Sequence, residues 1–112
     1  MAVVGTTRRT PRVIRRMVDR IVERFHPEKV ILFGSHARGE AGPDSDVDLL
    51  VVMPVRGSVR RKCIQVRVAL RGFSVSKDVI IVRPRDWEAR KDIAGTIEYP
   101  ASHEGKVLYG RG

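Results

Sequence analysis

Two apolar runs of strand length, Val30–Phe33 and Val47–Val52, stand only thirteen residues apart, and the first has no polar residue in it. Runs of this kind fit strands buried on both faces. A sheet covered on both sides needs helices to cover it, so the pattern asks for an α/β layer architecture. The flanking sequence supplies those helices. Val13, Ile14, Met17, Val18, Ile21, Val22 and Phe25 recur at helical spacing, with Thr10 as N-cap, Pro11 as first helical residue and Pro27 beyond the end. A second helix is expected from a Ser58 cap to about Arg71, with Gly72 at its end. Val59, Cys63, Val66 and Leu70 share its core face. Ile64 and Val68 lie almost opposite, flanked by Arg60, Arg67 and Arg71, and read either as a contact strip or as residues buried under a further layer.

The remaining elements are shorter. Residues 36–38 read as the start of a helix, and 39–45 as a loop with Gly42-Pro43 as its strongest breaker. Val75–Val82 reads as a third strand interrupted by Lys77-Asp78, 85–94 as a helix carrying Trp87 as a packing residue, and EGKVLYG as a closing strand. The expected fold is a small mixed β-sheet flanked by helices. With 112 residues the chain has room for one modest core, assigned to 10–112, behind a flexible basic tail at 1–9. No apolar run approaches the ~20 residues that cross a bilayer, and the N-terminus lacks the apolar core of a leader peptide. Cys63 is the only cysteine, which excludes an internal disulfide and agrees with a cytoplasmic setting.

The thirteen residues between the two strands raise the chemical question, because Asp46 and Asp48 stand at the mouth of the second one. Residues two apart on a strand point to one face, with about 6.6 Å between their Cα atoms. Two unpaired carboxylates there would repel each other and resist desolvation. A hard divalent cation reverses that sign, and Mg²⁺ commonly takes one or two carboxylates together with substrate phosphates. Gly34-Ser35 ends the first strand and can lead into a helix, where free amides, a permissive glycine and a hydroxyl suit a phosphate. Neither the Walker spacing nor the dinucleotide-binding glycine pattern is present. A phosphate cradle beside a metal-binding carboxylate pair is what phosphoryl or nucleotidyl transfer requires. Asp78 is the candidate third carboxylate. It would ligate the metal that activates the incoming hydroxyl or take that hydroxyl's proton; the plainer reading is a strand-edge acid paired with Lys77 or an arginine.

The ordered set Gly34-Ser35, ten residues, Asp46-Val47-Asp48 closely resembles the signature of the minimal nucleotidyltransferases of the DNA polymerase beta-like superfamily. Ala37-Arg38-Gly39, Ser45, the KDVIIV strand and the EGKVLYG ending also look like that family, so the resemblance spans roughly 12–110. It implies ATP or another NTP as substrate, with two Mg²⁺ ions (Mn²⁺ as substitute). By position, Gly34, Ser35, Arg38 and Ser45 would bind the nucleotide, although Arg38 reads equally as a pin on the loop. Asp46, Asp48 and Asp78 would hold the metals and carry catalysis. Larger members carry a second domain for the acceptor. Members of this size are often antitoxins that transfer AMP to a tyrosine of a separately encoded, helical HEPN-type toxin.

Three functions therefore compete. The first is an AMP transferase acting on a partner protein. The second is a nucleotide-binding antitoxin that acts by occlusion. The third is transfer to, or binding of, RNA, which the net charge of +9 favours. Against RNA, 17 of the 22 basic residues are arginines spread over two helices and the tail, and at 5% aromatic residues stacking platforms are scarce. Self-association through the Ile64/Val68 strip is also open. His36 reads as a solvated loop residue, and His26 and His103 as surface or turn residues.

Overall fold

The computed structural model describes residues 10–42 and 44–111, so the basic tail at 1–9 and Pro43 lie outside the described residues. Helix α1 (Arg12–Phe25) forms where the apolar spacing places it, and Ile14, Met17, Val18 and Ile21 are its buried side chains. It begins one residue later than the capping pattern implies. Pro11 is the cap residue, no side chain caps the helix, and the Thr10 hydroxyl is buried without a partner among the described residues. At the other end His26 takes the left-handed conformation and donates its N–H to the Val22 carbonyl.

Strand β1 (Lys29–Phe33) runs into α2 (Ser35–Arg38), and β2 (Val47–Val52) follows the loop. Helix α3 (Val59–Ala69) is capped as the sequence indicates, Ser58 Oγ accepting from the Arg61 N–H at 3.0 Å, but it ends two residues early. Strand β3 (Lys77–Val82) begins at Lys77. Lys77-Asp78 is therefore the mouth of a strand rather than an interruption within one. Helix α4 (Pro84–Arg90) is shorter than expected and starts on a proline, whose missing N–H costs nothing in a first turn.

A fifth helix, α5 (Glu98–Glu104), comes before β4 (Lys106–Gly110), and sequence reading missed it. Its Pro100 reads as a breaker until it is placed in a first turn. Gly105 then ends the helix where a Cβ would meet the Ala101 and Leu32 carbonyls and the Ile31 side chain.

The four strands lie in the order β3-β2-β1-β4. Strand β1 is antiparallel to both of its neighbours, while β2 and β3 are parallel, joined by the crossover that carries α3. This is the mixed sheet the sequence implies. Strand alternation divides the core in two. Val30, Leu32, Leu49, Val51, Val79 and Ile81 pack with α1 and α3 residues such as Met17, Ile21, Val66 and Leu70. Ile31, Leu50, Val52 and Val82 pack with Trp87 of α4 and Ala101 of α5. Trp87 is buried, as a packing residue should be. Each large apolar side chain so buried stabilises the fold by roughly 1.5–3 kcal/mol relative to exposure.

Ile64 and Val68 are 53% and 47% exposed, which removes the reading that a further layer covers them. Replacing either by serine is expected to change stability by no more than about 0.5 kcal/mol, checked by urea unfolding.

Candidate active site

The sheet brings three chain segments to one end. Phe33, the last residue of β1, is the register partner of Asp48, and Asp48 is the register partner of Asp78. Asp48 and Asp78 share the strand parity of Leu50, Val52 and Val82, so they belong to the α4/α5 side of the sheet. Asp46 precedes β2 by one residue and shares that parity. Asp48 and Asp78 therefore lie side by side on adjacent strands, at the end of the sheet where Asp46 leads into β2.

Gly34 sits against this group. Its φ of +75° and ψ of −155° fall in a region that is almost exclusively glycine's. A Cβ there would collide with Asp48 Oδ2. The bend at Gly34 thus does two things: it lets the chain turn from β1 into α2, and it lets a carboxylate lie against the backbone. In α2, the Ala37 and Arg38 N–H groups both donate to the Gly34 carbonyl, at 3.1 and 3.2 Å. The first-turn amides of Ser35 and His36 are left outside the helix's own bonding and available to an anion.

The loop from α2 to β2 is fastened at both ends. Ser45 Oγ accepts from the Gly42 N–H at 2.8 Å, and the His36 ring nitrogen Nε2 lies 3.2 Å from the Ser45 carbonyl. His36 is half-buried and bonded to the loop, which corrects its reading as a solvated residue. Arg38 donates to Glu40 at 2.9 Å and reaches Glu104 of α5 at 3.8 Å. The Glu40 hydrogen bond holds the Arg38 guanidinium above its ordinary pKa. Arg38 thus acts as a pin on the loop and still adds positive potential near Asp48.

The electrostatics at Asp48 show what the site lacks. Its pKa is raised, first by burial, then by the charge of Asp78 and then by that of Asp46; His36 and Arg38 offset this in part. The folded chain therefore holds the Asp48 proton more tightly than the unfolded chain does. Asp48's contribution to stability is most favourable below the ordinary carboxylate pKa and declines as pH rises through the raised value. A hard divalent cation would supply the missing positive charge, and oxygen donors at Asp46 and Asp48 suit Mg²⁺ or Mn²⁺. Asp78 differs from that pair, because Arg67 of α3 forms a salt bridge with its Oδ1. Among the described residues, no three acidic, histidine or cysteine side chains are arranged to hold a metal ion.

Sequence reading had put Arg67 in a stripe a quarter-turn from the core face of α3 and had weighed an arginine as the partner of Asp78, which the Arg67 salt bridge bears out, without naming which one. One available signal was overlooked: residues 49–77 contain seven basic residues and no acid, so Asp78 meets only cations from the segment before it.

Residues 14–98 match the family described as nucleotidyltransferase domain. A Methanocaldococcus jannaschii protein described as a putative protein adenylyltransferase is 37% identical over 54 residues, which cover 48% of this chain and 54% of that protein. The chain thus spans about half the length of the curated relative it matches. A crystal structure of a putative nucleotidyltransferase from Sulfolobus solfataricus has a TM-score of 0.63 at 22% identity, over 88% of this chain and 78% of that one. A toxin–antitoxin structure with AMP-PNP has a TM-score of 0.55 at 16% identity, over 87% and 73%. A mutant form of the MntA–HpeT toxin–antitoxin complex gives 0.56 at 16% identity, over 86% and 72%. At these identities the solved structures share the fold. No helix among the described residues is long and apolar enough to cross a membrane.

Proposed function

Because the chain belongs to the nucleotidyltransferase domain family, we propose that it transfers a nucleotide, AMP from ATP, to a hydroxyl on a partner protein. The observation that carries this reading is the register Phe33–Asp48–Asp78 with Asp48 pressed against Gly34. It puts the Gly34 bend, which leads into α2, next to a carboxylate that faces two further carboxylates.

In this reading the Ser35 and His36 amides and the Ser35 hydroxyl hold the triphosphate, and the Gly34 bend lets it approach. Asp46 and Asp48 would hold divalent cations, and Asp78 would serve the cation on the nucleophile side. Bound there, the cations supply charge neutralisation and a lowered pKa for the attacking hydroxyl. The acceptor oxygen forms a bond to the α-phosphorus as the bond to the β-phosphate oxygen breaks. Pyrophosphate leaves, and the hydroxyl proton passes to a carboxylate or to water. Ser45 and Arg38 act mainly by fixing the loop that carries Asp46. The protein's share is positioning and electrostatic stabilisation.

The acceptor in this proposal is a tyrosine of a separately encoded HEPN-type protein, which makes the chain an antitoxin. The relative described as a protein adenylyltransferase supports protein as the acceptor class. The fold shared with toxin–antitoxin structures supports the pairing. A second reading, occlusion of a toxin without chemistry, is favoured by one observation, the neutralisation of Asp78 by Arg67.

The experiment that separates the two mixes the chain with the product of its neighbouring gene, ATP and Mg²⁺. The expected result is a mass gain of one adenylate on the partner, mapped to a tyrosine and lost in Asp46→Asn. A stable complex with no mass gain would favour occlusion. Cation binding itself is expected to show as heat resistance: at a hundredfold excess over its Kd a bound cation adds about 2.7 kcal/mol. That gain should shrink as pH falls through the raised Asp48 pKa, because the protonated acid no longer binds the cation. Differential scanning fluorimetry with and without Mn²⁺ measures both.

A further inference from the structure

Helix α3 packs on the α1 side of the sheet, whereas Asp78 belongs to the opposite, α4/α5 side. Contact between them is made over the sheet's edge, because β3 is the outermost strand. Cys63 Sγ donates to the Val79 carbonyl at 3.1 Å, and one helical turn later Arg67 reaches the same carbonyl at 3.4 Å. With its backbone contact made, the guanidinium pairs with Asp78 Oδ1. The same nitrogen, Nη2, makes both contacts, so the Arg67 guanidinium is held beside Asp78 by a backbone carbonyl as well as by charge.

This arrangement bears on the metal site, and the inference rests on the reading of Asp46, Asp48 and Asp78 as its carboxylates. We infer that Arg67 is a positioning residue that keeps Asp78 out of the metal site, so that the nucleotide-free chain offers a divalent cation two carboxylates rather than three. Two observations meet here. Asp48 makes no salt bridge among the described residues, while Asp78, its register partner, is matched by a cation of the protein's own. The third carboxylate becomes available only when the Arg67 pair opens, and Arg67 thereby sets the divalent-ion concentration at which the site fills.

The test uses the full chain and Mn²⁺ alone, with free Mn²⁺ counted by electron paramagnetic resonance and affinity taken from calorimetry, so that no turnover is needed. Arg67→Gln is expected to bind Mn²⁺ about fivefold more tightly than the unaltered chain, the scale of one released exposed ion pair. Arg71→Gln removes a charge from just beyond the same helix without touching Asp78, and its affinity is expected to stay within about twofold of the parent. In an Asp78→Asn background, Arg67→Gln should bring no further gain. Circular dichroism checks that each variant folds; should Arg67→Gln fail, Arg67→Met, which keeps an apolar stem and removes the charge, is measured in its place with the same ordering expected.

Equal Mn²⁺ affinity in Arg67→Gln and the parent would overturn the inference while leaving the metal site standing. So would a gain that Arg71→Gln shares or that survives Asp78→Asn. If the parent and every variant bind no Mn²⁺, the metal reading of the whole site fails, and the role of Arg67 fails with it.

Discussion

Asp48→Asn is expected to lower nucleotidyl transfer by about a thousandfold while making the metal-free chain more resistant to heat. The two effects have one origin. Asp48 is part-buried and faces Asp78 and Asp46, so its charge is costly when no cation is present. Asparagine keeps the shape and removes the charge, which relieves burial and both repulsions. Stability at neutral pH then rises, and its decline with rising pH through the Asp48 titration flattens. Catalysis loses a cation ligand at the point where charge develops on the phosphate. Removing one such electrostatic contact typically costs 10²–10³-fold, and loss of an ion would add to it. Paired measurements of melting temperature across pH and of transfer rate check the prediction. A variant that lost activity and stability together would show that Asp48 is a structural residue.

Gly34→Ala is the second large effect, and here stability and activity should fall together. The backbone at Gly34 occupies a region that costs a side-chain-bearing residue about 1–3 kcal/mol. The added methyl also lands on Asp48 Oδ2, so either the β1–α2 bend opens or Asp48 turns away. Both outcomes change where Asp48 lies relative to the Gly34 bend. A drop in melting temperature of about 10 °C and a loss of transfer of at least about a hundredfold are expected. By contrast, a Cβ at Gly39 meets nothing within 4 Å. Gly39→Ala, although strained by its φ of +74°, should therefore spare activity far more than Gly34→Ala. Thermal melts and single-turnover assays of the two variants separate strain alone from strain with collision.

The sequence made the sheet legible because burial on both faces leaves a plain mark, and Val47–Val52 forms β2 over its full length. The motif spacing was legible for the same reason. A glycine turn after one strand and acids at the mouth of the next can meet only if the strands pair, and they do so at Phe33 and Asp48. Helix α5 was not legible, because a seven-residue helix with proline in its first turn carries too few periodic positions to stand out. The consequence was functional as well as structural, since α5 supplies the Glu104 that helps fix Arg38.

His36 was misread, and Arg67 was not named as the partner of Asp78, for a different reason. Both are polar residues whose partners are distant in sequence or are backbone atoms: the Ser45 carbonyl for His36, and Val79 and Asp78 for Arg67. Helical periodicity places Arg67 on an outer face but cannot show that an edge strand lies within its reach.

The central claim is that the Gly34–Asp48–Asp78 group moves the α-phosphate of a nucleotide. The most direct test gives the chain and its neighbouring-gene partner ATP labelled at either the α- or the γ-phosphate, with Mg²⁺. The account predicts label on the partner protein from α-labelled ATP only, with release of labelled pyrophosphate from the γ-labelled form, and neither in Asp48→Asn. Transfer of the γ-label to protein would contradict it, since the site would then be moving a phosphoryl group rather than a nucleotide.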